Sequence, residues 1–166
     1  MPIVDTRCDY RLVHGQVAGL FLQQTGAKKI VILCDAIADD DFLVDTYDLI
    51  TPADVPVVAY HVSEGFEKWS ADDFGGGPYM LLFQNTKDCY DAWKSGIKMP
   101  TVNVGGSNAG PDKEGNERKA IPGQTIFLSH EEAQYLLEMS GAGVEVYTRP
   151  AANGAPATLP DKIKDL

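Results

Sequence analysis

Short apolar runs rich in β-branched residues recur along this chain, and segments with helical spacing separate them. The strand candidates are residues Ile3-Val4, 29–34, 55–60, 79–83, 101–104 and 144–147. The helix candidates between them cover residues 14–25, 39–51, 63–70, 86–96 and 129–140. Strands that are apolar throughout are buried on both faces, so this alternation predicts a mostly parallel sheet with helices on both faces.

The length of 166 residues and the hydrophobic content of 44% suit one sizeable core. We therefore expect a single α/β domain over residues 1–166, built on a twisted sheet of about six or seven strands. The last part of the chain, residues 150–166, is rich in proline and alanine. We expect it to form a tail on the surface of the domain.

Two polar segments mark where regular structure stops and starts again. Residues 107–118 have no apolar periodicity, which predicts an extended loop, and a short strand is expected near residues 125–128. Residues 129–132, Ser-His-Glu-Glu, fit a capping box in which Ser129 and Glu132 bond each other's backbone amides. The last helix is therefore predicted to begin there.

Composition excludes several classes of protein. The net charge of −10 repels polyanions, so nucleic acid is not an expected partner, although a local cationic pocket can still hold one phosphate. The three cysteines have unrelated spacings, and neither metal-ligand spacing nor a phosphate-binding P-loop occurs, so we expect no metal and no cofactor. No apolar stretch reaches a membrane-spanning length and no signal-peptide plan is present, which makes a cytoplasmic protein the simplest expectation.

The stretch "RCDYRLVHGQV", residues 7–17, lies where the first predicted strand turns into the first predicted helix. Ligands of open α/β sheets bind at the carboxyl ends of the strands, and a helix N-terminus favours an anion. The N-terminal amides at Gly15 and Gln16, together with the guanidinium of Arg11, therefore predict a phosphate-sized site beside His14. A neutral imidazole at such a site is a competent nucleophile toward an activated phosphoryl group.

The residue types alone also allow a simpler structural interpretation. His14 could cap the helix, while Arg7 or Arg11 forms an ordinary ion pair with Asp9. If Asp9 instead lies near the imidazole, its carboxylate could fix the ring tautomer by accepting a ring N–H. The residue types alone do not show whether Asp9 pairs with an arginine or fixes the tautomer of His14.

The whole string closely resembles the phosphorylation-site motif Arg-x-Asp-x-Arg-Leu-(Ile/Val)-His-Gly-Gln-Val. That motif is typical of enzyme IIB components of the sugar phosphotransferase system, in the mannose/fructose/sorbose family. Two further stretches are similar to this family at corresponding places: "DAIADDDF" at residues 35–42 and "NVGG" at residues 103–106. The resemblance extends over most of residues 3–150.

The resemblance implies a cytoplasmic phosphoryl carrier associated with the membrane through transporter subunits. His14 would accept the group from enzyme IIA and pass it to a sugar carried by the membrane subunits IIC and IID, while Arg11 would steady the phosphoryl group. The supporting residues would be Arg7, Asp9, Asn103, Gly105 and Gly106, the two glycines as a backbone nest near the pocket. Two alternatives stay open: a non-catalytic regulatory or anion-binding domain of the same fold, and a phosphatase with a histidine intermediate.

Overall fold

The computed structural model describes residues 3–166 of the chain. Within these residues the strands are β1 (Ile3–Asp9), β2 (Lys29–Leu33), β3 (Val57–Tyr60), β4 (Tyr79–Phe83), β5 (Thr101–Gly106), β6 (Arg118–Ala120), β7 (Phe127–Ser129), β8 (Glu145–Thr148) and β9 (Ala157–Thr158). The helices are α1 (residues 15–25), α2 (Asp35–Ala38), α3 (Asp41–Ile50), α4 (Gly65–Asp72), α5 (Thr86–Ser95), α6 (His130–Gly141) and α7 (Pro160–Ile163). All five predicted helices are confirmed, whereas the one-turn helices α2 and α7 were not predicted.

Seven strands form one sheet in the order β3-β2-β4-β1-β5-β8-β9. Every neighbouring pair is parallel except β8 and β9, which are antiparallel, so the predicted mostly parallel sheet is confirmed. The strands β6 and β7 lie outside it and pair antiparallel with each other.

Apolar side chains are buried on both faces of the sheet. One core cluster joins α1 and α3 to the sheet, through side chains such as Val17, Phe21 and Leu43. The other joins α5 and α6 to the opposite face, through side chains such as Cys89 and Leu136. The prediction of helices on both faces is therefore confirmed. Across residues 3–166, none of the helices has both the length and the apolar character needed to cross a membrane.

The C-terminal segment corrects the prediction of a surface tail over residues 150–166. Its side chains Ala152, Leu159 and Ile163 are buried, and β9 adds an antiparallel strand beside β8. The helix α7 begins at Pro160, whose fixed φ suits the first position of a helix. The prediction failed because apolar residues spaced so widely in a proline-rich segment give no periodic signal.

The predicted loop over residues 107–118 is confirmed as far as residue 117, and Asp112 holds it in place. The Asp112 carboxylate accepts hydrogen bonds from two backbone amides of its own loop and, at 2.6 Å, from the hydroxyl of Ser129. The capping box of Ser129 and Glu132 is confirmed, and Arg118 donates to the Glu132 carboxylate at 2.9 Å. The loop is thus attached to the start of α6.

The connections leaving β1 and β5 diverge to opposite faces of the sheet. Helix α1 follows β1 on one face, whereas α6 lies on the other face after the chain has left β5. Asp9 pairs with Gly106 where these two adjacent strands end. Such a switch point opens a crevice at the carboxyl edge of an α/β sheet, and a cleft of about 530 Å³ lies there.

Candidate functional site

The chain reverses direction sharply between β1 and α1. The Leu12 amide donates to the Asp9 carbonyl at 3.0 Å, and the Arg11 amide donates to the Asp9 carboxylate at 3.0 Å. Leu12 has a φ of 55°, a left-handed conformation that is costly for a leucine, and its side chain is fully buried. Burial of the leucine offsets the backbone strain, and the turn brings His14 back toward the end of β1.

Asp9 is the centre of the site. Its buried carboxylate accepts from Arg7 Nη2 at 3.1 Å, from Arg11 Nε and Nη2 at 3.0 Å each, and contacts His14 Nε2 at 2.9 Å. Asp9 therefore contacts both arginines and the imidazole at once. Burial raises the pKa of Asp9, but hydrogen bonds from His14 and Arg11 and the charge of Arg7 outweigh burial and hold it well below its usual range.

The contact with Asp9 assigns the two ring nitrogens of His14 different states. An ionised carboxylate only accepts hydrogen bonds, so Nε2 carries the proton that it donates to Asp9. In the neutral ring Nδ1 then keeps its lone pair, and the side chain is 16% exposed, so that nitrogen can act as a nucleophile.

Helix α1 begins directly beside this imidazole. Its first internal hydrogen bond runs from the Ala18 amide to the His14 carbonyl, at 2.8 Å. The amides at Gly15 and Gln16 lie in the first turn, where no intrahelical acceptor exists and the helix dipole is positive. A Cβ built on Gly15 would meet nothing within 4 Å, so the approach to the helix end is open. The arrangement suits an anion next to His14.

The two arginines on Asp9 differ in exposure. The Arg11 side chain is 41% exposed, whereas Arg7 is fully buried. Arg7 donates to the carbonyls of Arg149 and Pro150 at 3.0 Å each, and its guanidinium lies 4.3 Å from the centre of the Phe21 ring. Burial lowers the pKa of Arg7, while the charges of nearby aspartates oppose that shift. Arg7 is therefore engaged by protein partners, whereas Arg11 is the arginine that an incoming anion can reach.

The glycines that end β5 make room for these side chains. A Cβ on Gly105 would lie 2.1 Å from Arg7 Cζ, and one on Gly106 would lie 2.7 Å from Asp9 Oδ1. Among the described residues, neither Gly105 nor Gly106 has a positive φ, so backbone conformation does not require glycine at these positions. The absence of side chains here therefore allows Arg7 and Asp9 to pack against the β5 backbone.

The C-terminal segment completes the site, which no pattern in the sequence had indicated. Asn103 and Arg149 exchange hydrogen bonds, of which the Arg149 amide to Asn103 Oδ1 is 2.8 Å. The Ala152 amide donates to Gln16 Oε1 at 3.1 Å, and Gln24 donates to the Ala152 carbonyl at 2.9 Å. These hydrogen bonds use backbone groups of residues 149–152, so no pattern of side chains in the sequence could have predicted them.

All the residues predicted for the site thus lie at one edge of the sheet. Arg11, Gln16, Gly105 and Gly106 line the 530 Å³ cleft, and the His14 ring, Asp9, Arg7 and Asn103 are joined to them by the contacts above. Across residues 3–166 no group of three or more potential ligands could hold a metal ion.

Asp5 lies on the same face of β1 as Arg7 and Asp9 but away from the site. Burial raises the pKa of Asp5 to about 6, although Arg7, Tyr147 and Arg149 favour its ionised form. Because the folded state binds this proton more tightly than the unfolded chain does, the contribution of Asp5 to stability falls as pH rises from about 4 through 6.

We expect the replacement Asp5→Asn to remove this pH dependence. Raising the pH from 5 to 7.5 should cost the wild type about 1 kcal/mol of unfolding free energy more than it costs the variant. Urea unfolding of both proteins at the two pH values measures the difference, and equal pH dependence would contradict the raised pKa of Asp5.

Comparison with known proteins agrees with the geometry. Residues 3–165 match a family model described as "PTS system sorbose subfamily IIB component". The chain is 27% identical to the fructose-specific EIIB component of Bacillus subtilis over 93% of its own length and 91% of that protein. It is 24% identical to the mannose-specific EIIAB component of Escherichia coli, of which it spans only 50%. The crystal structure of manxB from Thermoanaerobacter tengcongensis matches with a TM-score of 0.84 and 30% identity, over 98% of this chain and 95% of that one.

Proposed function

The chain belongs to the family of phosphotransferase-system IIB components of the sorbose subfamily, and we propose that it is a phosphoryl carrier that uses His14. It accepts a phosphoryl group from an enzyme IIA and transfers it to a sugar, and so acts as a protein-histidine:sugar phosphotransferase. The observation that carries this proposal is the 2.9 Å contact between His14 Nε2 and the buried carboxylate of Asp9. It leaves Nδ1 as the acceptor nitrogen.

The first transfer exchanges one nitrogen–phosphorus bond for another. The Nδ1 lone pair forms a bond to phosphorus while the bond to the donor's histidine breaks and returns its electron pair to the donor ring. The His14 ring then carries a positive charge, since Nε2 keeps its proton, and the Asp9 carboxylate stabilises that charge at 2.9 Å. In the second transfer a sugar hydroxyl oxygen forms a bond to phosphorus while the Nδ1–phosphorus bond breaks. Nδ1 regains its electron pair, the ring becomes neutral again, and the hydroxyl proton passes to water.

Arg11 and the start of α1 balance the charge of the phosphoryl oxygens. Transfer through a loose transition state needs positioning and charge neutralisation more than covalent assistance. The described hydrogen bonds of Arg11 use its backbone amide, Nε and Nη2, so further N–H groups of its guanidinium remain for phosphoryl oxygens. The amides at Gly15 and Gln16 add the positive end of the helix dipole.

The partners follow from the same proposal. The phosphoryl donor is an enzyme IIA, an assignment supported by the mannose-specific relative whose name joins A and B components in one chain. The acceptor is a sugar held by the membrane subunits IIC and IID, and the carrier works on the cytoplasmic side, attached to the membrane only through these subunits. Relatives named for fructose and mannose support a hexose as substrate.

The test is intact-mass spectrometry at neutral pH after incubation with phosphoenolpyruvate, the general phosphotransferase proteins and candidate enzyme IIA domains. We expect a gain of one phosphate that mild acid removes and mild base does not. A known enzyme IIB labelled in parallel verifies the donor chain. If that control is labelled and this protein is not, the regulatory alternative replaces the carrier function.

We expect Arg11→Lys to slow phosphoryl transfer from enzyme IIA by about tenfold to a hundredfold. A lysine supplies one point charge in place of a planar fork, and it cannot hold Asp9 and a phosphoryl oxygen in the same geometry. Rapid-quench measurement of the transfer rate checks this. An unchanged rate would show that Arg11 does not contact the phosphoryl group.

A further inference from the structure

Helix α3 exposes three large apolar side chains, Phe42, Leu49 and Ile50, the last of which is 48% exposed. Phe42 is 79% exposed and Leu49 is 86% exposed, and none of the residues of this helix is fully buried. The opposite side of α3, with Leu43 and Tyr47, packs against the core. Residues seven apart lie on the same side of a helix, about 10 Å from each other along its axis. This outward side, which we call the α3 face, is spaced like the anchors of a helix that inserts into a groove.

The α3 face is also strongly acidic. Residues 30–67 contain nine aspartates and glutamates but no lysine or arginine. Asp45 lies between Phe42 and Leu49 on the helix, and Asp41 precedes them. Across residues 3–166 no salt bridge includes Asp41 or Asp45. The apolar anchors are therefore surrounded by uncompensated negative charge, and a matching partner must carry lysine or arginine beside an apolar groove.

The α3 face lies on the same side of the molecule as His14. Helices α1 and α3 pack against the same core cluster on one face of the sheet. The strands that lead into them, β1 and β2, are separated only by β4, so their carboxyl ends lie roughly 10 Å apart. Phe42 is the second residue of α3 and therefore lies near this edge. A partner bound to the α3 face therefore lies on the side of the molecule that carries His14.

We propose that the α3 face docks the carrier onto the cytoplasmic loops of the membrane subunits IIC and IID, an inference that rests on the proposed carrier function. Loops on the cytoplasmic side of membrane proteins carry an excess of lysine and arginine, which complements Asp41 and Asp45. A second copy of the chain would bring the same acidic face, so two α3 faces would repel each other. An anionic lipid surface would likewise repel the acidic α3 face. Docking through protein loops is the arrangement that satisfies both the charge and the exposed apolar residues.

The test measures sugar phosphorylation by inside-out membrane vesicles that contain the IIC and IID subunits, with the carrier concentration varied. We expect the double variant Phe42→Ser/Leu49→Ser to raise the apparent KM for the carrier about tenfold or more and to leave kcat unchanged. The variant Asp45→Lys should raise the same KM, and the wild-type KM should rise with salt concentration. The matched control is Phe66→Ser, which removes an exposed aromatic residue from α4 and should change nothing.

Phosphorylation of each variant by enzyme IIA separates the possible failures. Labelling of all variants at the wild-type rate shows that the fold and the His14 site are intact. If the wild type itself is not labelled, the carrier function fails, whatever the role of the α3 face. If all proteins are labelled and the double variant keeps the wild-type KM on vesicles, docking through α3 is wrong. Slower labelling of the double variant by enzyme IIA would assign the face to the donor instead and overturn this proposal.

Discussion

The variant His14→Ala should fold and take up no phosphate, the largest functional effect that we expect from a single substitution. Its ring supplies the only atom to which the phosphoryl group is proposed to bind, so no residual transfer through this site is possible. Among residues 3–166, the ring hydrogen-bonds to Asp9 alone. Losing that bond should cost about 1–2 kcal/mol of unfolding free energy, because Asp9 keeps the hydrogen bonds of Arg7 and Arg11.

Intact-mass spectrometry of the variant after the labelling reaction measures the loss, and the chain offers matched controls. His61 pairs with Asp35 and Asp39, and His130 contacts the Leu166 carbonyl, so neither belongs to the site. The variants His61→Ala and His130→Ala should be labelled fully. A phosphate on His14→Ala would eliminate the proposed acceptor. In the wild type, nitrogen-15 NMR should locate the phosphate on Nδ1; phosphorylation of Nε2 would show that Asp9 does not set the tautomer.

The variant Arg7→Met should lose about 3–5 kcal/mol of unfolding free energy, the largest stability effect that we expect. Breaking a buried ion pair by removing one partner leaves the other charge uncompensated. Here Asp9 would lose one of its donors, and the carbonyls of Arg149 and Pro150 would each lose a hydrogen bond. Methionine keeps much of the volume between Phe21 and Gly105, so the effect comes mainly from the polar groups.

Urea unfolding near neutral pH measures this loss, and Arg11→Met is its matched control. The control removes the other arginine on the same carboxylate, but from a side chain that is 41% exposed, so it should cost no more than about 1 kcal/mol. The two arginines are thus predicted to have different roles: Arg7 stabilises the fold, and Arg11 assists phosphoryl transfer. Equal destabilisation by the two variants would contradict this division.

The sequence predicted the fold well because burial dictates its pattern. Strand segments such as residues 30–33 and 80–83 are apolar throughout, and only a sheet covered on both faces buries them completely. The Ser129–Glu132 capping box was equally local, since its hydrogen bonds join residues three apart. The family resemblance carried by the motif at residues 7–17 is confirmed by the match over residues 3–165.

Non-local contacts could not be predicted in the same way. Arg7 was one of several possible partners of Asp9, and nothing local distinguishes it from Arg11, although one is buried and the other exposed. The left-handed Leu12 gives no sequence signal, because leucine is not a residue chosen for that conformation. Gly105 was predicted to form a backbone nest, whereas its role in packing against Arg7 depends on a neighbouring strand.

The hydrogen bonds of Arg7 to the Arg149 and Pro150 carbonyls span 142 and 143 residues of chain. During synthesis at about 5–20 residues per second, roughly 7–30 s pass between the appearance of Arg7 and that of its last partners. Until then the arginine lacks the acceptors that hold it in place, and Asp9 lacks its fixed donor. A nascent chain therefore contains the histidine long before the ion pair beside it is held in place, and the site is complete only after residues 149 and 150 have been added.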